Sequence, residues 1–242
     1  MRDRSNLRSV RDGDPSWPRA ASIELVQDLS GISSPVEGYL RRYRRRVKTQ
    51  LDDGSRTETY VVDYVDRDPS KRDAVAIAIH APVAASVGST PVLLRRQVRY
   101  AAYVVAGRAL TTEVFAGLIE GGESPEEATL REVWEEAGLE IEPSAIRRLG
   151  QPFFMIPGIF TERVVPMAVE VPAEALIRSL ELEPPGDGSA FEAGAESLLL
   201  SLDEAFERIE APAPPDPKLV TLDDAKTEIL LARLWRDLES RR

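Results

Sequence analysis

The chain has 242 residues, no cysteine and one histidine, His80. Without cysteine there is no disulfide, thiol nucleophile or iron–sulfur cluster, and one histidine cannot build a Cys/His zinc site. A Ser-His-Asp triad would have to use His80. That residue ends an apolar alternation that reads as a strand, so a satisfied, partly buried histidine is expected there. The first twenty residues mix Arg, Asp, Ser and Pro with no apolar run, so no signal peptide is expected. Residues 74–94 carry no charge, but Pro82, Ser86, Gly88, Ser89, Thr90 and Pro91 interrupt them. They read as strand, loop and strand rather than a membrane span. A cytoplasmic protein is the expectation.

What is left for chemistry is carboxylates, hydroxyls, lysines and arginines. Carboxylates at neutral pH suit hard cations such as Mg²⁺ or Mn²⁺. The formal net charge is −10, which does not suit a chain built to coat nucleic acid. The charge is uneven, however. Arg41, Arg42, Arg44, Arg45, Arg46 and Lys48 form a basic run, while the C-terminal half is acidic. The run reads either as a solvated strand edge or as a surface that meets an anionic substrate or a partner chain.

The pattern divides the chain into a flexible tail at 1–20, an N-terminal strand subdomain at 21–72 and a main domain at 73–242. Residues 39–49 and 58–65 read as strands joined by the turn Asp52-Asp53-Gly54. Further strands are expected at 74–79, 92–100, 110–115, 146–154, 164–171 and 198–202. Residues 124–137 read as the clearest helix: Ser124 caps it, Pro125 opens it, Glu127 completes a capping box and Gly138 ends it. Helices are also expected at 203–209 and 221–238, the latter with Leu222, Ala225, Ile229 and Leu234 near one face. Residues 184–194 read as a loop and 211–217 as a proline-rich linker.

The informative segment runs from Gly117 to Leu139. A glycine-rich loop feeds the capped helix, on which Glu132, Glu135 and Glu136 share one face at offsets of three and four. Like charges at that spacing repel by a few tenths of a kcal/mol per exposed pair. Arg131 can offset one of them, and a divalent cation could offset all three. A solvated acidic helix is the plainer alternative, since glutamate forms helices well.

The full spacing favours the cation. Gly117 is followed after five residues by Glu123, and after seven more by Arg131-Glu132-Val133-Trp134-Glu135-Glu136-Ala137-Gly138-Leu139. This resembles the Nudix box at every defined position, so the sequence resembles a Nudix hydrolase. Flanking segments resemble the subgroup acting on ADP-ribose and nucleoside diphosphate sugars. They are Leu93-Leu-Arg-Arg-Gln97-Val-Arg99-Tyr, Glu113-Val-Phe-Ala116-Gly117, Ile156-Pro157-Gly158-Ile-Phe-Thr-Glu162 and Asp224-Ala-Lys-Thr227. Phe115 stands where that subgroup has proline, and Ile156 where it has serine.

The resemblance implies an α/β fold, a Nudix-type α/β/α sandwich around a mixed sheet, with the N-terminal strands forming a dimerisation subdomain. It implies metal-dependent hydrolysis of a nucleoside diphosphate derivative, with Mg²⁺ as cofactor and Mn²⁺ possible. Glu132, Glu135, Glu136 and the Ala116 carbonyl would hold the metal. Glu123 and Arg131 would brace loop and helix. Glu162 would be the catalytic base, with Glu192 and Glu196 as rivals, and Glu136 would be catalytically essential. Arg99 and Glu113 would contact the terminal phosphate or the base of the substrate, or else form a cross-strand ion pair. The expected partners are a small nucleotide-sugar substrate and a second copy of the chain in a homodimer, with no nucleic acid and no membrane. Another nucleoside diphosphate substrate, or a nucleotide-sensing module without turnover, stays open.

Overall fold

The computed structural model describes residues 26–27, 34, 38–67, 73–182, 184–186, 194–212 and 220–242. The expected tail at 1–20 and residues 213–217 of the expected linker lie outside them, as does Glu192.

Two strands, β1 (Arg41–Val47) and β2 (Tyr60–Asp66), pair antiparallel as a separate two-stranded sheet. Alternate side chains of neighbouring strands meet, so Tyr43 stacks on Tyr64 at 5.0 Å between ring centroids, and the Arg45 guanidinium lies over both rings. The basic run is solvated: β1 has no buried residue, and Arg44 and Asp63 form only an exposed pair at 3.5 Å.

The main sheet has eight strands. Five of them form the order β10-β4-β3-β9-β7, from β3 (Ala74–His80), β4 (Pro91–Val98), β7 (Ile146–Arg148), β9 (Arg163–Glu170) and β10 (Glu196–Ser201). The short strands β5 (Leu110–Glu113), β6 (Phe115–Leu118) and β8 (Phe153–Phe154) pair with β4, β3 and β9. Among the described residues only β3 and β9 of this sheet run parallel, so the sheet is mixed.

The central strand β3 is buried on both faces and its period of two divides the core. Val75, Ile77 and Ile79 face one cluster, with Ala128, Val133 and Ala137 of α2 (Pro125–Ala137) and Leu176 of α3 (Ala173–Ser179). Ala76 and Ala78 face the other, with Leu202 and Ala205 of α4 (Leu202–Glu210) and Leu230, Leu231, Leu234 and Leu238 of α5 (Ala225–Ser240). The small alanines on that face let α5 approach the sheet. Helices on both faces of a mixed sheet make the expected α/β/α sandwich. Each fully buried leucine contributes about 1.5–3 kcal/mol.

Several boundaries differ from the sequence reading. The strand expected at 92–100 ends at Val98, and the chain turns into α1 (Tyr100–Ala106), a helix with no buried residue. The strand expected at 110–115 is two strands. Val114 leaves the ladder to donate its N–H to the Thr227 hydroxyl at 2.9 Å, and β6 then takes a new partner. The strand expected at 146–154 breaks in the turn at Gly150. Helix α3 was not expected; its Ser179 hydroxyl donates to the Ala137 carbonyl at the end of α2. Helix α5 starts at Ala225 because Asp224 caps it, accepting the Thr227 N–H at 2.9 Å. Its inner stripe is therefore Thr227, Leu230, Leu231, Leu234 and Leu238, with Ala225 exposed rather than inward.

His80 is fully rather than partly buried. Its Nδ1 lies 2.7 Å from the Ala81 carbonyl, so it donates there. Its Nε2 then accepts from Arg147 at 2.7 Å. Burial pushes its pKa below the ordinary 6.5, the Ala81 bond opposes this, and Arg147 pushes it further down. It is a neutral structural residue. Among the described residues no helix is long and apolar enough to cross a membrane.

Candidate active site

The site is built where β6 hands over to α2. Ser124 caps α2, accepting the Glu127 N–H, while Glu127 accepts the Ser124 N–H at 2.8 Å. Gly138 closes the helix at φ +66°, a conformation that a side chain disfavours. Between these caps the helix presents Glu132, Glu135 and Glu136 to the loop.

Gly117 shows why the loop needs glycine. A Cβ there would lie 1.7 Å from Glu132 Oε1, so the missing side chain makes the room in which the Glu132 carboxylate lies against β6. That carboxylate is nearly buried. Burial pushes its pKa above the ordinary 4.5; Arg131 pulls it down, and Glu135 and Glu123 push it up again.

Arg131 is the hub. Its Nε donates to Glu123 Oε1 at 3.1 Å, and its terminal nitrogens donate to Glu132 at 2.6 Å, Glu135 at 2.9 Å, Glu123 at 3.0 Å and the Leu118 carbonyl at 2.8 Å. The hydrogen bonds that it donates to Glu123, Glu132 and Glu135 raise its pKa against the cost of burial. Three carboxylates thus share one guanidinium. Glu136 turns the other way: it accepts the Ala116 N–H at 3.3 Å, and Arg95 lies 3.5 Å from its Oε1. Arg95, itself buried, also donates to the Glu136 carbonyl at 3.0 Å.

A second cluster stands beside the first. Glu113 accepts from both arms of Arg99 at 2.9 Å, from Lys226 at 3.0 Å and from the Thr111 hydroxyl at 2.5 Å. Burial alone would raise the Glu113 pKa, but Lys226 and Arg99 hold it well below the carboxylate range. Lys226 also donates to Asp224 at 2.7 Å. The pair expected from Arg99 and Glu113 is formed. Glu113 already has these donors, so contact with a ligand would have to displace one, whereas Arg99 keeps close to half of its side chain exposed.

Of the three candidates for the base, Glu162 stands on the loop before β9, with Arg67 Nε 2.6 Å from its Oε2. Glu196 pairs with Arg96 at 2.7 Å and, with Arg95 and Glu136, lines a cavity roofed by Pro184 and Gly186. Sequence reasoning assigned no role to Arg95, Arg67 or Lys226. Its place directly after the apolar run Val92-Leu93-Leu94 was the available signal for Arg95.

Carboxylates and a carbonyl, with no sulfur or imidazole among them, are donors that fit a hard divalent cation. The Gly117 cradle and the excess of carboxylate over guanidinium fit it as well. Among the described residues no three acidic side chains stand together as a ready-formed cage, because three of the box glutamates lean on Arg131.

The family model of the NUDIX domain matches residues 70–220, more than half of the chain. The chain belongs to the NUDIX domain family, and that membership makes it a Nudix pyrophosphohydrolase. A solved structure described as an ADP compounds hydrolase covers 82% of this chain and 86% of its own, with TM-score 0.54 and 18% identity. At that identity the likeness is one of fold. The fold is a common one, since 175 solved chains match it. No curated protein matches the sequence.

Proposed function

We propose that this protein hydrolyses the pyrophosphate bond of ADP-ribose or a related nucleoside diphosphate sugar, giving a nucleoside monophosphate and a sugar phosphate. The observation that carries the reading is the gathering of Glu123, Glu132 and Glu135 on one guanidinium, beside Glu136 and the β6 backbone. A similar fold is described as a hydrolase of ADP compounds, which supports the substrate class.

Glu132, Glu135, Glu136 and the Ala116 carbonyl would hold Mg²⁺, or Mn²⁺ in its place. When bound, such a cation neutralises the diphosphate, polarises a phosphorus–oxygen bond and lowers the pKa of water. Glu162 takes a proton from the water that attacks one phosphorus. The bridging oxygen of the diphosphate leaves with the bond's electron pair. Burial pushes the Glu162 pKa above the ordinary 4.5, with Arg67 and Lys226 opposing, which suits a proton acceptor. Arg99, held by Glu113, offers its exposed edge to a terminal phosphate. Glu123 and Arg131 brace the loop on the helix.

The chain divides at 72/73 into the hairpin subdomain and the hydrolase domain. It works in the cytoplasm as a homodimer, the basic edge of β1 giving the second copy a strand to cover.

The test is product release with Mg²⁺ and with Mn²⁺ from ADP-ribose, ADP-glucose, UDP-glucose, GDP-mannose, NADH and diadenosine polyphosphates. Turnover of a nucleotide sugar that Glu136→Gln removes supports the reading. Turnover confined to NADH or the polyphosphates moves the substrate class. Nucleotide binding without product from any substrate contradicts catalysis and favours a sensor.

A further inference from the structure

We propose that Arg67, carried at the end of β2, is the positioning residue that aims Glu162, so that the N-terminal hairpin serves the reaction of its own chain. The inference rests on the assignment of Glu162 as the base.

Backbone register places the two residues together. Val65 bridges to Phe160 in parallel: the Val65 N–H donates to the Ile159 carbonyl at 2.7 Å, and the Thr161 N–H donates to the Val65 carbonyl at 3.4 Å. The Thr161 hydroxyl adds a hydrogen bond to the buried Asp66 carboxylate. Two residues on along both segments, the register brings Arg67 beside Glu162. Among the described residues the hairpin shares no ladder with the main sheet, and this short bridge docks it against the loop that carries the candidate base.

The side chains complete the arrangement. Arg67 Nε lies 2.6 Å from Glu162 Oε2, and both side chains are about four-fifths buried, at 21% and 17% exposure. On its other side the Arg67 guanidinium lies 4.6 Å from the centre of the Tyr39 ring, so it is held between an aromatic face and the carboxylate. Neither Arg67 Nε nor Glu162 Oε2 has an aligned hydrogen-bond partner among the described residues. The contact is therefore one of charge. It fixes where the carboxylate sits.

Steady-state kinetics and thermal melts of Arg67→Gln, Arg67→Lys, Glu162→Gln and the Arg67→Gln/Glu162→Gln double variant test this. Arg67→Gln should lower kcat about tenfold or more, the cost of a misplaced catalytic group. KM should stay within about twofold, and Arg67→Lys should restore most of the loss. In the Glu162→Gln background, Arg67→Gln should have no further effect on kcat. Tyr39→Leu, which removes only the stacking face, should give a smaller kcat loss in the same direction and serves if Arg67→Gln does not fold. An unchanged kcat in Arg67→Gln overturns the inference. So does an equal loss in both backgrounds, or a rise in KM at constant kcat. If Glu162→Gln keeps full kcat, the base assignment itself falls and takes this inference with it. A slow Glu162→Gln beside a normal Arg67→Gln sinks this inference alone.

Discussion

Two charged clusters stand out in this fold, one around Arg131 and one around Glu113, and their charge balance separates their roles. Around Arg131, three carboxylates share one guanidinium. Around Glu113, two carboxylates meet two cations, Glu113 and Asp224 against Arg99 and Lys226. The balanced cluster is a brace that ties β5 to the start of α5 and holds Arg99 in place. The unbalanced one keeps burial-strained acid next to a backbone cleared of side chain by Gly117. A structural network gains nothing from surplus like charge, whereas a cation site needs it.

The comparison breaks most visibly at Glu136. Glu136→Gln should lower kcat by about a thousandfold or more, the several kcal/mol a metal contributes, while the protein still folds. Full activity in this variant would place the chemistry elsewhere.

At the balanced cluster the effect should fall on stability instead. Glu113→Gln leaves Lys226 and Arg99 facing a neutral group and should cost about 3 kcal/mol in urea unfolding. Its pH dependence has a definite sign. The folded-state pKa of Glu113 is depressed, so its contribution is complete above the ordinary 4.5 and is lost as pH falls through the lowered value. The gap between wild type and variant should be constant from neutrality down to about that ordinary pKa and close below it.

Arg131→Met sharpens the contrast. It removes the one cation from three carboxylates and should destabilise the protein by about 2 kcal/mol. Added Mg²⁺ should then raise the variant's melting temperature more than the wild type's. Equal shifts would mean that the carboxylates and the cation do not meet.

The smallest effect is expected at His80, which belongs to neither cluster. Its folded-state pKa is lowered, so the unfolded chain binds the extra proton and stability falls as pH drops below 6.5. His80→Gln should remove that component of the slope, at a cost of about 1 kcal/mol.

The box helix was legible because every signal in it is local. Ser124, Glu127 and Gly138 act within one turn of where they stand, and the glutamates share a face by helical geometry alone. The sandwich was legible for a related reason: the alternation of 74–79 sends neighbouring residues to opposite faces. What was not legible depends on partners far along the chain. The break at Val114 is set by Thr227, more than a hundred residues later. Helix α1 hid behind the alternation of Arg95, Arg96, Gln97 and Arg99. The inner face of α5 was misplaced because Asp224 sets the start of the helix. Arg67 has no local pattern; it comes beside Glu162 only through the Val65–Phe160 bridge.

The most direct test of the account is a calorimetric titration of Mg²⁺ and Mn²⁺ into the wild type, Glu136→Gln and Glu113→Gln. The charge argument predicts binding to the wild type and to folded Glu113→Gln, and its loss in Glu136→Gln. Undiminished binding to Glu136→Gln, or none to the wild type, would contradict it.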